Sequence, residues 1–236
     1  MKKNVALFFA LVTISLTAIS FIPMQADNML SESEKKEGWK LLFDGKTING
    51  WRSYNNAEQN GWKVEKGELI SIKDGVTKRS DIITKDQYEN FELKIDWKLD
   101  KGANSGIIYR SLETKGASYD TGPEYQVIDD EGYEFKLEDW QKSGANYAMN
   151  APSKLAAKPV GQYNHTKIVV KGAHVEHWLN GEKVVEYEFA SPEWIRLKKE
   201  GKFKDIPEYG ASTTGHIVLQ DHGGGVTFKN IKIRKL

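Results

Sequence analysis

The nine residues Phe91-Glu92-Leu93-Lys94-Ile95-Asp96-Trp97-Lys98-Leu99 alternate apolar and polar without a break. Successive side chains of an extended chain point to opposite faces, so this segment predicts a strand with one face buried and one wet. Weaker runs of the same kind occur at 39–43, Trp62–Glu65, 68–72, 106–110, 125–128, 167–171, 175–179, 184–189, 217–219 and 226–233. Roughly eleven short strands predict an antiparallel all-β sandwich. Lys66-Gly67, Lys73-Asp74-Gly75, Lys171-Gly172 and Asn180-Gly181 punctuate the runs. Asn-Gly tolerates the positive φ of a tight hairpin, so 175–179 and 184–189 should pair across Asn180-Gly181. Helix signals are confined to 191–199, with Pro192 at a first helical position, and to 136–142. Near the C-terminus Val226 and Phe228 share one face while Ile231 and Ile233 share the other, unless Asn230 is an extra residue in a bulge.

There is no cysteine, which excludes a disulfide framework, a thiolate metal site and lipoprotein acylation. Lys2 and Lys3 precede an apolar run closed by Pro23-Met24-Gln25-Ala26, the pattern of a secretory signal over 1–26 cleaved after Ala26. An uncleaved membrane anchor is the competing reading, because the run is nearly long enough to span a bilayer. The expected protein is therefore exported, periplasmic or extracellular, with a flexible lead-in over 27–37 and one catalytic domain over 38–236. With 34 basic and 33 acidic residues the net charge is +1. That balance leaves no electrostatic footprint for nucleic acid or an anionic membrane and suits a neutral partner. Aromatic residues make up 11% of the chain, enough to serve a β-rich core or to cover the C–H faces of sugars.

Four stretches go further: Gly38-Trp39-Lys40-Leu41-Leu42-Phe43-Asp44-Gly45, Ala103-Asn104-Ser105-Gly106-Ile107-Ile108-Tyr109-Arg110, 122–129 with Glu124-Tyr125-Gln126, and Gly215-His216-Ile217-Val218-Leu219-Gln220-Asp221-His222-Gly223. Together with Gly161-Gln162-Tyr163-Asn164 and Trp178-Leu179-Asn180-Gly181, in that order, the chain resembles the 3-keto-disaccharide hydrolase domain family from about Gly38 to Leu236. Tyr163 stands where that family often carries tryptophan. The resemblance implies a concanavalin A-like jelly-roll that cleaves glycosides oxidised to a ketone at carbon 3, acting as 3-keto-glucoside 1,2-lyase and 3-keto-2-hydroxy-glucal hydratase.

On an extended 124–128 segment Glu124 and Gln126 share one face and Tyr125 and Val127 the other, so the first pair should line a sugar cleft and the second the core. A carbon-3 ketone acidifies the hydrogen on carbon 2, and one general base can form an enolate that expels the group at carbon 1; water then adds. Glu124 is the expected base, Arg110 the enolate stabiliser, and His222 the alternative base or leaving-group acid. Gln126, Asn104, Tyr109, Trp51, Gln220 and Asp129 are the expected substrate contacts. His174 and His177 fall on opposite faces of a strand, which argues against zinc, and no metal or cofactor is assigned. Asp129, Asp130 and Glu131 leave open an oxygen-ligated, calcium-like cation. Two rivals remain: a non-catalytic carbohydrate-binding module, and a conventional glycoside hydrolase with paired carboxylates.

Overall fold

The computed structural model describes residues 26–236, so the signal reading of 1–26 lies outside the described residues apart from Ala26. Among the described residues no helix is long and apolar enough to cross a membrane. In chain order the strands are β1 (Lys40–Leu41), β2 (Trp51–Ser53), β3 (Trp62–Glu65), β4 (Glu68–Ser71), β5 (Ile82–Thr84), β6 (Phe91–Leu99) and β7 (Asn104–Ser111). They continue with β8 (Glu124–Ile128), β9 (Asn164–Lys171), β10 (His174–Leu179), β11 (Glu182–Glu188), β12 (His216–Leu219) and β13 (Val226–Lys235). The helices are α1 (Glu32–Lys36) and α2 (Pro192–Glu200).

The alternating segment 91–99 is β6, in the middle of an eight-stranded antiparallel sheet ordered β11-β10-β9-β6-β13-β4-β3, with β1 also on β13. Its apolar face, Phe91, Leu93, Ile95, Trp97 and Leu99, packs into the core between this sheet and a five-stranded sheet ordered β2-β5-β12-β7-β8. The second sheet contributes Trp51, Ile82, Ile107, Tyr109, Tyr125, Val127, Ile217 and Leu219. This is a jelly-roll sandwich, as the strand count predicts. Asn180 (φ 51°) and Gly181 (φ 88°) make the expected tight turn between β10 and β11. β2 and β5 lie where no strand is expected, because three residues are too few to display a period. The 136–142 helix signal yields only a helical turn at Asp139–Gln141.

Three register slips shape the described sheets, one of them between His177 and Trp178 on β10 against β11; the other two bear on the lead-in and the site. At Asn230 (φ 52°) the register against β6 slips between Lys229 and Lys232, so Phe228 and Ile231 both reach the core. The lead-in lies against this bulge: Asn28 N donates to Asn230 Oδ1 (2.6 Å) and Asn230 N donates to Asn28 Oδ1 (2.9 Å). The second bulge, at Arg110 (φ 54°), slips β7 against β12 between the Ser111–His216 and Ile108–Val218 pairs. Gly215 permits it, since a Cβ there would sit 2.7 Å from Arg110 Cα.

Candidate active site

The site is built on the face of the five-stranded sheet turned away from the core. Antiparallel partners point the same way, so register assigns the rows. Ile83, Val218, Ile108 and Glu124 are successive partners across β5, β12, β7 and β8. Two residues along, the same ladder aligns Asp81, Gln220, Gly106 and Gln126, with Gln220 N donating to Gly106 O (3.0 Å). A further step brings Asn104 opposite Ile128. The alternation in 124–128 therefore holds, with Tyr125 and Val127 in the core and Glu124 and Gln126 on the opposite side.

Glu124 is 6% exposed, and its carboxyl accepts no hydrogen bond from any described group. Burial pushes its carboxyl up to about 8; the Lys202 charge pulls it down and Asp81 pushes it further up. The carboxylate lies across Gly106, where a Cβ would fall 2.8 Å from Glu124 Cδ and Cγ. Glycine at 106 thus leaves the gap the acid occupies. Lys202 follows α2, which Ser191 caps through Trp194 N (3.2 Å) and Pro192 opens. Trp194 stacks on Tyr209 at 5.9 Å, and the chain then carries the Lys202 ammonium over Tyr119 (4.7 Å) and Tyr147 (4.6 Å). Tyr147 is itself tied to β8, its N donating to Glu124 O (2.9 Å).

Two amides on the floor have an acceptor with no donor among the described residues: Gln126 Oε1 and Asn104 Oδ1. Buried acceptors of this kind cost free energy until a ligand hydroxyl meets them. Asp81, just before β5, is held by the Ser118 hydroxyl and by Asp221 N (2.8 Å); burial raises its carboxyl and the Asp221 charge raises it further. The Asp221 carboxylate is in turn gripped by Arg79 (2.7 Å) and Ser71 Oγ (2.9 Å). His222 stands exposed beside this anchor, near enough for its charge to lower Asp81.

The match reported by comparison with known proteins covers this whole unit. Residues 38–234 match the 3-keto-alpha-glucoside-1,2-lyase-like domain family. The chain belongs to that family. A protein of Bacteroides thetaiotaomicron named 3-keto-disaccharide hydrolase is 32% identical over 229 residues, covering 85% of this chain and 79% of the relative. A solved structure from Parabacteroides distasonis, provisionally assigned as a glycosyl hydrolase, is 43% identical with a TM-score of 0.84, covering 89% of this chain and all of that one. A Flavobacterium laminarinase at 13% identity and TM-score 0.51, covering 84% and 98%, shares the fold.

Within this family domain several expected site residues sit elsewhere. Arg110 does not meet Glu124: its bulge turns the guanidinium to Glu89 O (3.0 Å), Gly172 O (2.8 Å) and the Phe189 ring, and desolvation lowers its pKa. Tyr109 is fully buried in the core, its hydroxyl bonded to His177 Nε2 (2.8 Å) and Tyr187 Oη (2.7 Å). Trp51 is buried in the core and donates to Leu42 O (2.5 Å), so no sugar reaches its ring. Asp129 closes a turn, its oxygens accepting from Gly102 N (2.8 Å) and Gly132 N (2.9 Å). Asp130 accepts from Ser143 N (2.8 Å), and Glu131 is exposed. His174, Glu176 and Glu186 place ligand atoms within 4.8 Å, but Lys183 already lies on both glutamates (3.4 and 2.6 Å). Glu124, Gln126, Asn104 and Gln220 are brought together, with His222 at the margin. Sequence reasoning missed Lys202 and Asp81; neither carries a local signal, for one follows a helix and the other precedes a strand too short to recognise.

Proposed function

We propose that this is an exported enzyme that hydrolyses 3-keto-disaccharides or related 3-keto-glucosides by elimination followed by hydration. The single observation that carries the reading is Glu124, a buried carboxyl without a hydrogen-bond partner among the described residues, whose proton affinity burial raises while the Lys202 charge opposes the rise. A general base works best when its pKa lies near the working pH.

Glu124 takes the proton from carbon 2 of the 3-keto sugar, and the electron pair moves onto the carbon-3 oxygen. Lys202 takes the part expected of Arg110 and stabilises that oxygen as charge develops. The enolate then collapses, breaking the bond from carbon 1 to the leaving oxygen, which receives a proton from His222. Water adds at carbon 1 of the resulting unsaturated ketone, and carbon 2 regains a proton from Glu124. Gln126, Asn104 and Gln220 supply amide partners for the sugar hydroxyls.

The rival of paired carboxylates would need Asp81 as the second acid, yet Asp81 is committed to Ser118 and Asp221. A deciding experiment incubates the protein with matched glucosides and 3-keto-glucosides in heavy water. The expected result is cleavage of the keto forms alone, with deuterium entering at carbon 2 and both lost in Glu124→Gln. Cleavage of unoxidised glucosides, or cleavage without deuterium, rejects this mechanism.

A further inference from the structure

Three lysines stand abreast on the outer face of the eight-stranded sheet. Lys232 of β13 is the register partner of Lys94 on β6, and Lys94 is the partner of Lys167 on β9. Alternation turns all three away from the core, because their neighbours Ile231, Ile233, Leu93, Ile95 and Ile168 fill it. Like charges directly opposite one another destabilise a sheet, so the row is unfavourable as it stands. Among the described residues only Lys232 of the three meets a carboxylate at ion-pair distance, that of Glu34; Glu37 feels Lys94 from farther off. Lys94 lies over the Trp39 ring (4.4 Å) and Lys167 over the Trp178 ring (3.8 Å), contacts that hold an ammonium without neutralising it.

A cavity of about 440 Å³ lies over this row, with Asp96, His165, Trp178 and Asn230 among its other walls. Asp96 is already met by His165 Nδ1 (2.6 Å) and Asn230 Nδ2 (2.8 Å), so its charge does not answer the lysines. We propose that this cavity binds an acidic saccharide, with a sulfate or carboxylate group seated on Lys94 and Lys167 and the ring beside Trp178. Glu124 faces outward from the five-stranded sheet, on the other side of the sandwich. The lysine site therefore holds its ligand apart from the reaction centre, and it stands whether or not the reaction proposed above does.

The shape of the site selects the ligand class. Adjacent strands lie about 4.8 Å apart, so the row spans roughly 10 Å, the reach of a small anionic sugar. The volume falls within the range of small-ligand pockets. The cations are recessed: the Lys232 side chain is only 14% exposed, and Lys94 and Lys167 are half-buried. Anionic membranes and nucleic acid are met by larger clusters of protruding cations, and a net charge of +1 supplies no wider field for either. His165, exposed at the wall, offers Nε2 to a ring hydroxyl.

Calorimetric titration of the full chain with glucose 6-sulfate, glucuronate, glucose and inorganic sulfate tests the proposal. The two acidic sugars should bind at least about tenfold more tightly than glucose or inorganic sulfate, and added salt should weaken them. Lys94→Gln with Lys167→Gln should lower their affinity at least about tenfold, while Lys115→Gln, on the β7–β8 connection, leaves it unchanged. A Tm no lower than the parent's shows that the double variant is folded, since relieved repulsion offsets the lost ring contacts. Each single substitution should cost about threefold, so a double variant that does not fold still leaves the test decisive. Acidic sugars that bind no tighter than glucose, or whose binding survives both lysine substitutions, overturn the site. Inorganic sulfate bound as tightly as glucose 6-sulfate overturns the saccharide and leaves a bare oxyanion site.

Discussion

Glu124 shows how little separates an inert buried acid from a useful base. A carboxyl with three amide donors would ionise readily and remain a weak base; this one has none and must rely on Lys202. With its pKa near 8, kcat/KM should climb with rising pH and level off above about 8, because only the ionised form accepts a proton. Glu124→Gln should lower kcat by about 10²–10⁴ and abolish that limb, as read in a pH–rate series. Lys202→Met should cost about 10²–10³ in kcat with a smaller effect on KM, since the oxyanion develops only during reaction. Gly106→Ala tests the gap: the backbone tolerates alanine, but its Cβ meets Glu124 Cδ at 2.8 Å, so activity should fall at least about tenfold with Tm nearly unchanged. Unaltered turnover in that variant would show that the acid has room to move aside.

At the scale of elements, bulges matter more than strands. Asn230 combines positive φ with hydrogen bonds to Asn28, Asp27 and Asp96, the last two at 2.8 Å. Asn230→Ala loses those bonds and strains the backbone, and should destabilise by about 1–3 kcal/mol in urea unfolding; Asn230→Gly relieves only the strain. A bulge at 230 was legible because the apolar pattern on either side changed phase. The bulge at Arg110 was not, because Ile108 and Arg110 keep an unbroken alternation and the glycine that permits the bulge, Gly215, lies immediately before the partner strand β12. One extra residue turned an expected catalytic cation into a group bonded to carbonyls between the layers. The α2 segment then supplied a cation from elsewhere in the chain, Lys202, through packing of Trp194 on Tyr209.

For the whole molecule, two buried groups oppose each other along the pH axis. The folded state raises Glu124 from 4.5 to about 8, so its contribution is complete below pH 4.5 and is lost as pH rises through about 8. It lowers His177 from 6.5 to about 4 by burial, so that contribution is complete above pH 6.5 and is lost as pH falls through about 4. Glu124→Gln should therefore be more stable than the parent protein at pH 9, by up to roughly 3–5 kcal/mol, with the gap closing near pH 5 in calorimetric scans. A gap independent of pH would mean that the acid is solvated in the folded state.

The sequence by itself determined the sandwich, the β10–β11 turn and which face of β8 carries Glu124 and Gln126, because side-chain alternation and φ preferences are properties of adjacent residues. Tertiary structure alone decided that Trp51 and Tyr109 fill the core, that Arg110 turns away, and that Lys202 and Asp81 approach Glu124. Those outcomes depend on cross-strand register and on helix packing, where residues separated by dozens of positions compete for the same space.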